Sequence, residues 1–256
     1  MIALKSLTKP MRSLLLVGVA ALAISACASN RTSMTQPDYT GMTAGQSQQT
    51  LGELTARYKA NPKDKVTAIH YAAALRAVGQ SKQAVSVLEI SMDYYPKDVD
   101  IAVAFAKALT ADGRLEQSLQ VLDNVIRPEA PDWNALLVKG ATLDQLGRNP
   151  EARAIYAQAQ VYAPGEASIE ANLGLSYAMT NELPAAEQHL RRATQMQGAN
   201  SKVRQNLALI IGLQGRFDEA RAIYAAELPP EQVESNMAYV RALLTQQNRW
   251  ELIKNS

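Results

Sequence analysis

The chain is predicted to be all-α, a right-handed solenoid of antiparallel helix pairs. Three features of its 256 residues predict it: a self-repeat at a spacing of 34, small residues in phase within each copy, and glycines at the turns. Gly79, Gly113, Gly147, Asn181 and Gly215 fall one period apart without insertion or deletion. A glycine tolerates the positive φ that ends the first helix of a pair. Ala72, Ala106, Gly140, Gly174 and Ala208 form a second row, and Ala84, Ser118, Ala152, Ala186 and Ala220 a third. Small side chains at both rows let the two helices of a pair approach backbone to backbone. Leu88, Leu122, Tyr156, Leu190 and Tyr224 then fill the space between helices that the small residues leave.

A period of 34 is that of the tetratricopeptide repeat, so the predicted class is an all-α tetratricopeptide-repeat superhelix. Five units span 65–98, 99–132, 133–166, 167–200 and 201–230, more than the ~3 that such an array needs to bury a continuous core. Pro62, Pro96 and Pro164 close units, and Gly198 stands in that role for the fourth. Residues 49–64 are read as an N-terminal cap, a helix from Gln49 to Ala60 with Leu51, Leu54 and Tyr58 that ends before Pro62. Leu228-Pro229-Pro230 breaks the array. Residues 231–256 are read as a C-terminal cap, a helix from Glu231 to Gln246 bearing Val233, Met237, Val240 and Leu244, then a short tail with Trp250, Leu252 and Ile253. Terminal elements of a solenoid are atypical because one face has no neighbour.

The front of the chain has a different character. Lys5, Lys9 and Arg12 precede an apolar run from Leu14 to Ile24, which ends in Ile24-Ser25-Ala26-Cys27. That is the form of a lipoprotein signal, residues 1–26, with Cys27 as the acylated residue. The alternative is an ordinary secretory signal with Cys27 incidental; against it, Cys27 is the only cysteine in the chain and sits where a lipobox requires it. The run has about half of the ~20 apolar residues of a spanning helix. Both Met1 and Met11 stand as starts. Residues 27–48 lack apolar periodicity and are rich in Ser, Thr, Gln and Gly, so the stretch after the cysteine is read as a disordered tether.

The leader holds three basic and no acidic residues, so the formal charge of +2 becomes −1 on the mature chain. No cluster of Lys and Arg supports nucleic-acid binding. A single cysteine leaves no disulfide. His70 and His189 stand far apart, neither with a partner at metal spacing. No G-x-S-x-G, P-loop, G-x-G-x-x-G or C-x-x-C occurs. Most carboxylates are expected on solvated helix faces. Asp144, on an inner helix among Leu137, Ala141 and Gln145, stands apart, but one acid without a base or a metal is not a mechanism. The expectation is therefore no enzyme, no cofactor, no metal and no small-molecule substrate.

What remains is surface. First helices line the concave side of such a superhelix, and their second, fifth, sixth, ninth, twelfth and thirteenth positions are expected to face it. The groove residues expected for protein partners are Lys107, Leu137, Asp144, Asn172, Leu175, Met179, Lys202, Asn206 and Leu209, with Ile69, Arg76, Val103 and Leu213 beside them. The floor becomes more apolar towards the C-terminal half, which suits a short helix or an extended segment of another protein. The alternative for any one position is plain core. Tetratricopeptide domains that grip a C-terminal carboxylate resemble one another in a clamp of Lys, Asn, Asn, Lys and Arg. Asn172, Lys202 and Asn206 match that pattern in part, but Leu137 and Ala141 stand where its first Lys and Asn belong, and Asn206 replaces the Arg.

The stretch NLALIIGLQGRFDEA, from Asn206, followed by ELPPEQVESNMAYVRALL, from Glu227, resembles the TadD family of Flp pilus assembly lipoproteins. The resemblance covers roughly residues 46–253, and the Leu-Pro-Pro-Glu entry into the last helix is its most particular part. It implies a part in the tight adherence (Tad) secretion system, at the outer membrane, helping the secretin channel to assemble or localise. Cys27 is the one position that carries over, as the lipid attachment site. Ala28 after it, where Asp retains lipoproteins at the inner membrane of many bacteria, is compatible with an outer-membrane, periplasmic-face location. Two other readings stay open: a pilotin-like lipoprotein of a type IV pilus, and a general periplasmic scaffold that recruits envelope enzymes.

Overall fold

A computed structural model of the chain describes Tyr39 and residues 42–254, with side chains to residue 245. The leader, Cys27 and most of the tether lie outside the described residues, as do the side chains of Trp250, Leu252 and Ile253. Among the described residues there are twelve α-helices and no strand. Helix α1 (Ala44–Ala60) precedes five pairs: α2 (Lys65–Ala77) with α3 (Ser81–Tyr94), α4 (Val99–Ala111) with α5 (Leu115–Asp123), α6 (Trp133–Gln145) with α7 (Asn149–Tyr162), α8 (Ala167–Met179) with α9 (Leu183–Gln195), and α10 (Ser201–Leu213) with α11 (Phe217–Ala225). Helix α12 (Pro230–Lys254) closes the array. None of these helices is long and apolar enough to cross a membrane.

Each pair is built by the same local chemistry. The first helix starts at an acidic or amide cap: Asp64 accepts from the Thr67 N–H, Asp98 from those of Asp100 and Ile101, Asp132 from those of Asn134 and Ala135, and Asn200 from that of Val203. Such caps satisfy backbone donors that the first turn leaves unpaired. Only Glu166 of this row makes no side-chain cap. The first helix ends at a residue of positive φ, from 61° at Asn181 to 82° at Gly215. The following N–H turns back, as from Gln80 to the Leu75 carbonyl at 2.8 Å and from Arg148 to that of Leu143 at 2.9 Å. This is the bonding of a Schellman turn, which sends the chain straight into the second helix.

The in-phase rows form the core. Leu88, Leu122, Tyr156 and Leu190 are fully buried, as are Ala84, Ser118, Ala152, Ala186 and Ala220 of the row four residues earlier on the same second helices. A Cβ at Gly140 would lie 2.3 Å from the Tyr156 ring, and one at Gly174 would lie 2.8 Å from Leu190 Cγ and 3.0 Å from the Ala186 carbonyl oxygen. Glycine is required there by close approach. Each first helix also packs on the first helix of the next unit, α2 on α4, α4 on α6, α6 on α8 and α8 on α10. A ladder of first helices therefore forms one continuous inner face.

The two ends depart from expectation. Composition predicts a tether to residue 48, but α1 already begins at Ala44. Thr43 and Gln46 form a reciprocal capping box: Thr43 Oγ1 accepts from the Gln46 N–H, and the Gln46 side chain accepts from the Thr43 N–H. Such a box starts a helix even where apolar periodicity is weak. The last helix does not stop at Gln246 but runs unbroken to Lys254, because no Gly or Pro follows Pro230. Its Val233, Met237 and Val240 are buried against α10 and α11.

Candidate protein-binding groove

Spacing by four places Leu137, Ala141 and Gln145 in one stripe of α6. That stripe faces a groove of about 330 Å³, completed by Val138, by Lys107, Thr110 and Ala111 of α4, by Arg76 of α2 and by Asn172 of α8. Four consecutive units thus contribute first-helix side chains to one depression. Of the expected residues it brings together Lys107, Leu137 and Asn172. Arg76, expected beside them, joins them, and Thr110, Ala111, Val138, Ala141 and Gln145 complete the lining, each at one of the helix positions expected to face the groove.

The remaining expected residues lie elsewhere. Leu175 is partly buried on α8, and Met179 is 57% exposed at the end of that helix. Lys202 is exposed at the start of α10 and Asn206 is half-buried one turn on. Leu209 and Leu213 pack against the C-terminal core cluster, so the apolar C-terminal floor is in part core. Ile69 and Val103 are fully core, at 2% and 1% exposure.

Asp144 requires a correction. Expected in the groove, it is buried and accepts three hydrogen bonds, from Asn149 Nδ2 at 2.8 Å, Tyr156 Oη at 2.9 Å and Ser176 Oγ at 2.7 Å. These partners belong to α7 and α8, so the carboxylate joins the third unit to the fourth. The cause is Tyr156, which stands in a row otherwise led by Leu; a buried phenol needs a polar partner. Burial and the adjacent carboxylate push the Tyr156 phenol far above its ordinary range.

Lys107 behaves in the opposite way. Its row along the array reads Ala73, Lys107, Ala141, Leu175 and Leu209, so it is the one charge at the ninth position. It is half-buried, and among the described residues its ammonium makes no hydrogen bond or ion pair. Burial pushes its pKa down to about 8, Arg76 adds repulsion, and Asp132 partly opposes both. Desolvation disfavours the charged amine, hence the direction. Several other cations on the array are paired: Lys65 with Asp98 at 2.8 Å and Asp100 at 2.9 Å, Arg153 with Glu182 at 2.9 Å, and Arg204 with Glu227.

A second polar cluster holds α8 to α9 away from the groove. The buried Glu170 carboxylate contacts His189 Nδ1 at 3.0 Å and accepts from Arg192 and Gln160. His189 stacks on Tyr177, with ring centroids 5.0 Å apart, and Arg153 lies over the same tyrosine ring. Burial holds the His189 pKa below its ordinary value. This cluster is satisfied by its own members.

A profile of the tetratricopeptide repeat matches residues 137–201, and a second matches residues 204–226. The chain carries tetratricopeptide repeats. Its fold is similar to that of a thermophilic tetratricopeptide-repeat protein from Thermus thermophilus, with TM-score 0.60 and 21% identity over 68% of this chain and 97% of that one. It is also similar to PilW, described as a widely conserved type IV pilus biogenesis factor, with TM-score 0.58 and 16% identity over 75% of this chain and 91% of that one. A tetratricopeptide-repeat protein from Parabacteroides merdae gives TM-score 0.55 and 15% identity, over 80% and 81%. At these identities the likeness concerns the fold alone. No curated protein matches the sequence. The tetratricopeptide fold implies protein partners, and the groove across its first helices is the natural place for them.

Proposed function

We propose that the chain is a lipid-anchored scaffold of the Tad secretion system, held at the periplasmic face of the outer membrane, which binds protein partners through its groove and assists Flp pilus biogenesis at the secretin. The resemblance to the TadD family, through the Leu-Pro-Pro-Glu entry into α12, carries this reading. The lipobox ending at Cys27 supports it from the other end of the chain. The proposed role is binding without turnover, a reading supported by the buried carboxylates Asp144 and Glu170 being tied up in structural hydrogen bonds and ion pairs.

Deleting the gene tests the proposal. Surface Flp pili, counted by electron microscopy, are expected to vanish, and the Tad secretin to lose its heat-resistant multimer or its outer-membrane position, with cell shape and envelope integrity normal. Normal pili and a normal secretin in the deletion strain would refute it. The likeness to PilW favours a second reading, a pilotin-like part in a type IV pilus. Loss of type IV pili with intact Flp pili would decide for that reading.

A further inference from the structure

The groove contains a cation that no carboxylate among the described residues pairs with. Lys107 is the lone charge in a ladder of alanines and leucines, half-buried and without a hydrogen bond or ion pair among the described residues. None of the residues lining the groove is acidic, and Arg76 adds a second positive group at its edge. The carboxylates of α6 and of its cap are committed elsewhere. Asp144 is turned into the contact with α7 and α8, and Asp132 caps α6 through the N–H groups of Asn134 and Ala135, at 2.9 Å each. Beside the ammonium, Leu137, Val138 and Ala141 present an apolar wall. A charge left unpaired against apolar surface costs stability, and proteins keep such features where a ligand supplies the missing partner.

We infer that the groove takes a segment of a partner protein that presents an internal Asp or Glu side chain to Lys107, with an apolar side chain next to it on Leu137, Val138 and Ala141. Opposite charge at the centre and an apolar contact beside it are the complementarity that such a depression selects. The acid is internal rather than a chain end because Leu137 and Ala141 stand in the groove where a clamp for a terminal carboxylate has its Lys and Asn. A volume of about 330 Å³ holds a few side chains, at the small end of ligand sites. The inference rests on the groove being the docking face proposed above.

The test uses the full chain and a set of fluorescent, C-terminally amidated peptides in which one Glu is walked past one Leu in a neutral background. Each peptide is paired with its Glu→Gln version and with a Glu-free version that has a free terminal carboxylate. Binding is read by fluorescence anisotropy. The best Glu peptide is expected to lose at least about tenfold in affinity on Glu→Gln and a similar factor on Lys107→Met. The two changes together should cost no more than either alone, and Lys107→Arg should keep much of the binding. Thermal melts establish that the variants are folded. Equal binding of the Gln peptide, indifference to Lys107→Met, tight binding only of the free-carboxylate version, or no binding across the set would each overturn the inference. Ala141→Trp separates this failure from that of the docking face. If it abolishes binding of peptides that ignore Lys107, the groove stands and only the acid pairing falls; if it changes nothing for peptides that bind, both fall.

Discussion

Asp144 and Lys107 lie on successive inner helices, and their opposite fates show what one side chain decides in a repeat array. Asp144 closes a network with Tyr156, Asn149 and Ser176, so Asp144→Ala strands three buried polar groups. It is expected to destabilise by roughly 3 kcal/mol, measured by urea unfolding. Unchanged stability would show that the network contributes nothing. Lys107 is the converse. Its pKa, lowered to about 8 by burial with help from Arg76 and against Asp132, means that the unfolded chain binds more protons between about 8 and its ordinary ~10.4. Stability therefore rises with pH across that window, and the cost of Lys107 is fully present below it. Lys107→Met is expected to melt higher than wild type at neutral pH, with the gap closing as pH rises through the window. A variant that melts no higher at neutral pH would contradict the isolation of the ammonium. The period puts Asp144 on the right helix but not on the right side of it, since the deciding group is the phenol of Tyr156 on the next helix rather than anything local. Lys107 is legible because the ninth-position row is otherwise apolar.

At the scale of the helix pair, periodicity carries most of the information. First helices begin at Lys65, Val99, Trp133, Ala167 and Ser201, and second helices at Ser81, Leu115, Asn149, Leu183 and Phe217, each 34 residues apart. The small-residue rows mark the contact between them. Gly174→Leu is expected to destabilise by more than about 2 kcal/mol through overpacking, because even a Cβ there meets Leu190 and the Ala186 carbonyl. Thermal melting checks this, and an unchanged melt would mean that the two helices do not touch there. A row at Asp64, Asp98, Asp132, Glu166 and Asn200 is equally available in the sequence, and all of its members but Glu166 cap the start of a first helix. The ends are less legible because they lie outside the repeat. The start of α1 depends on a capping box between Thr43 and Gln46, and the length of α12 on the lack of a breaker after Pro230.

At the scale of the molecule, five stacked pairs turn isolated positions into a surface that no single unit has. Arg76, Lys107, Leu137 and Asn172 come from four different units and meet only because the period is kept without insertion. Which groove positions meet is harder to read than the ladder itself. Packing between successive first helices closes the fifth position at Ile69 and Val103 yet leaves it open at Leu137, and it draws Leu209 towards the C-terminal core. A docking face of this kind acts where it is held, and Cys27 is the residue proposed to hold it. Site-specific photocrosslinking in living cells tests the central claim most directly. A benzophenone side chain placed at Leu137 in the groove is compared with one at Val161, which is 75% exposed on α7 and outside the groove. Crosslinking from Leu137 to the Tad secretin or a Tad pilus component, absent from Val161 and lost in Cys27→Ser, is the predicted result. The same products from both positions, or none from Leu137 to any part of that apparatus, would contradict it.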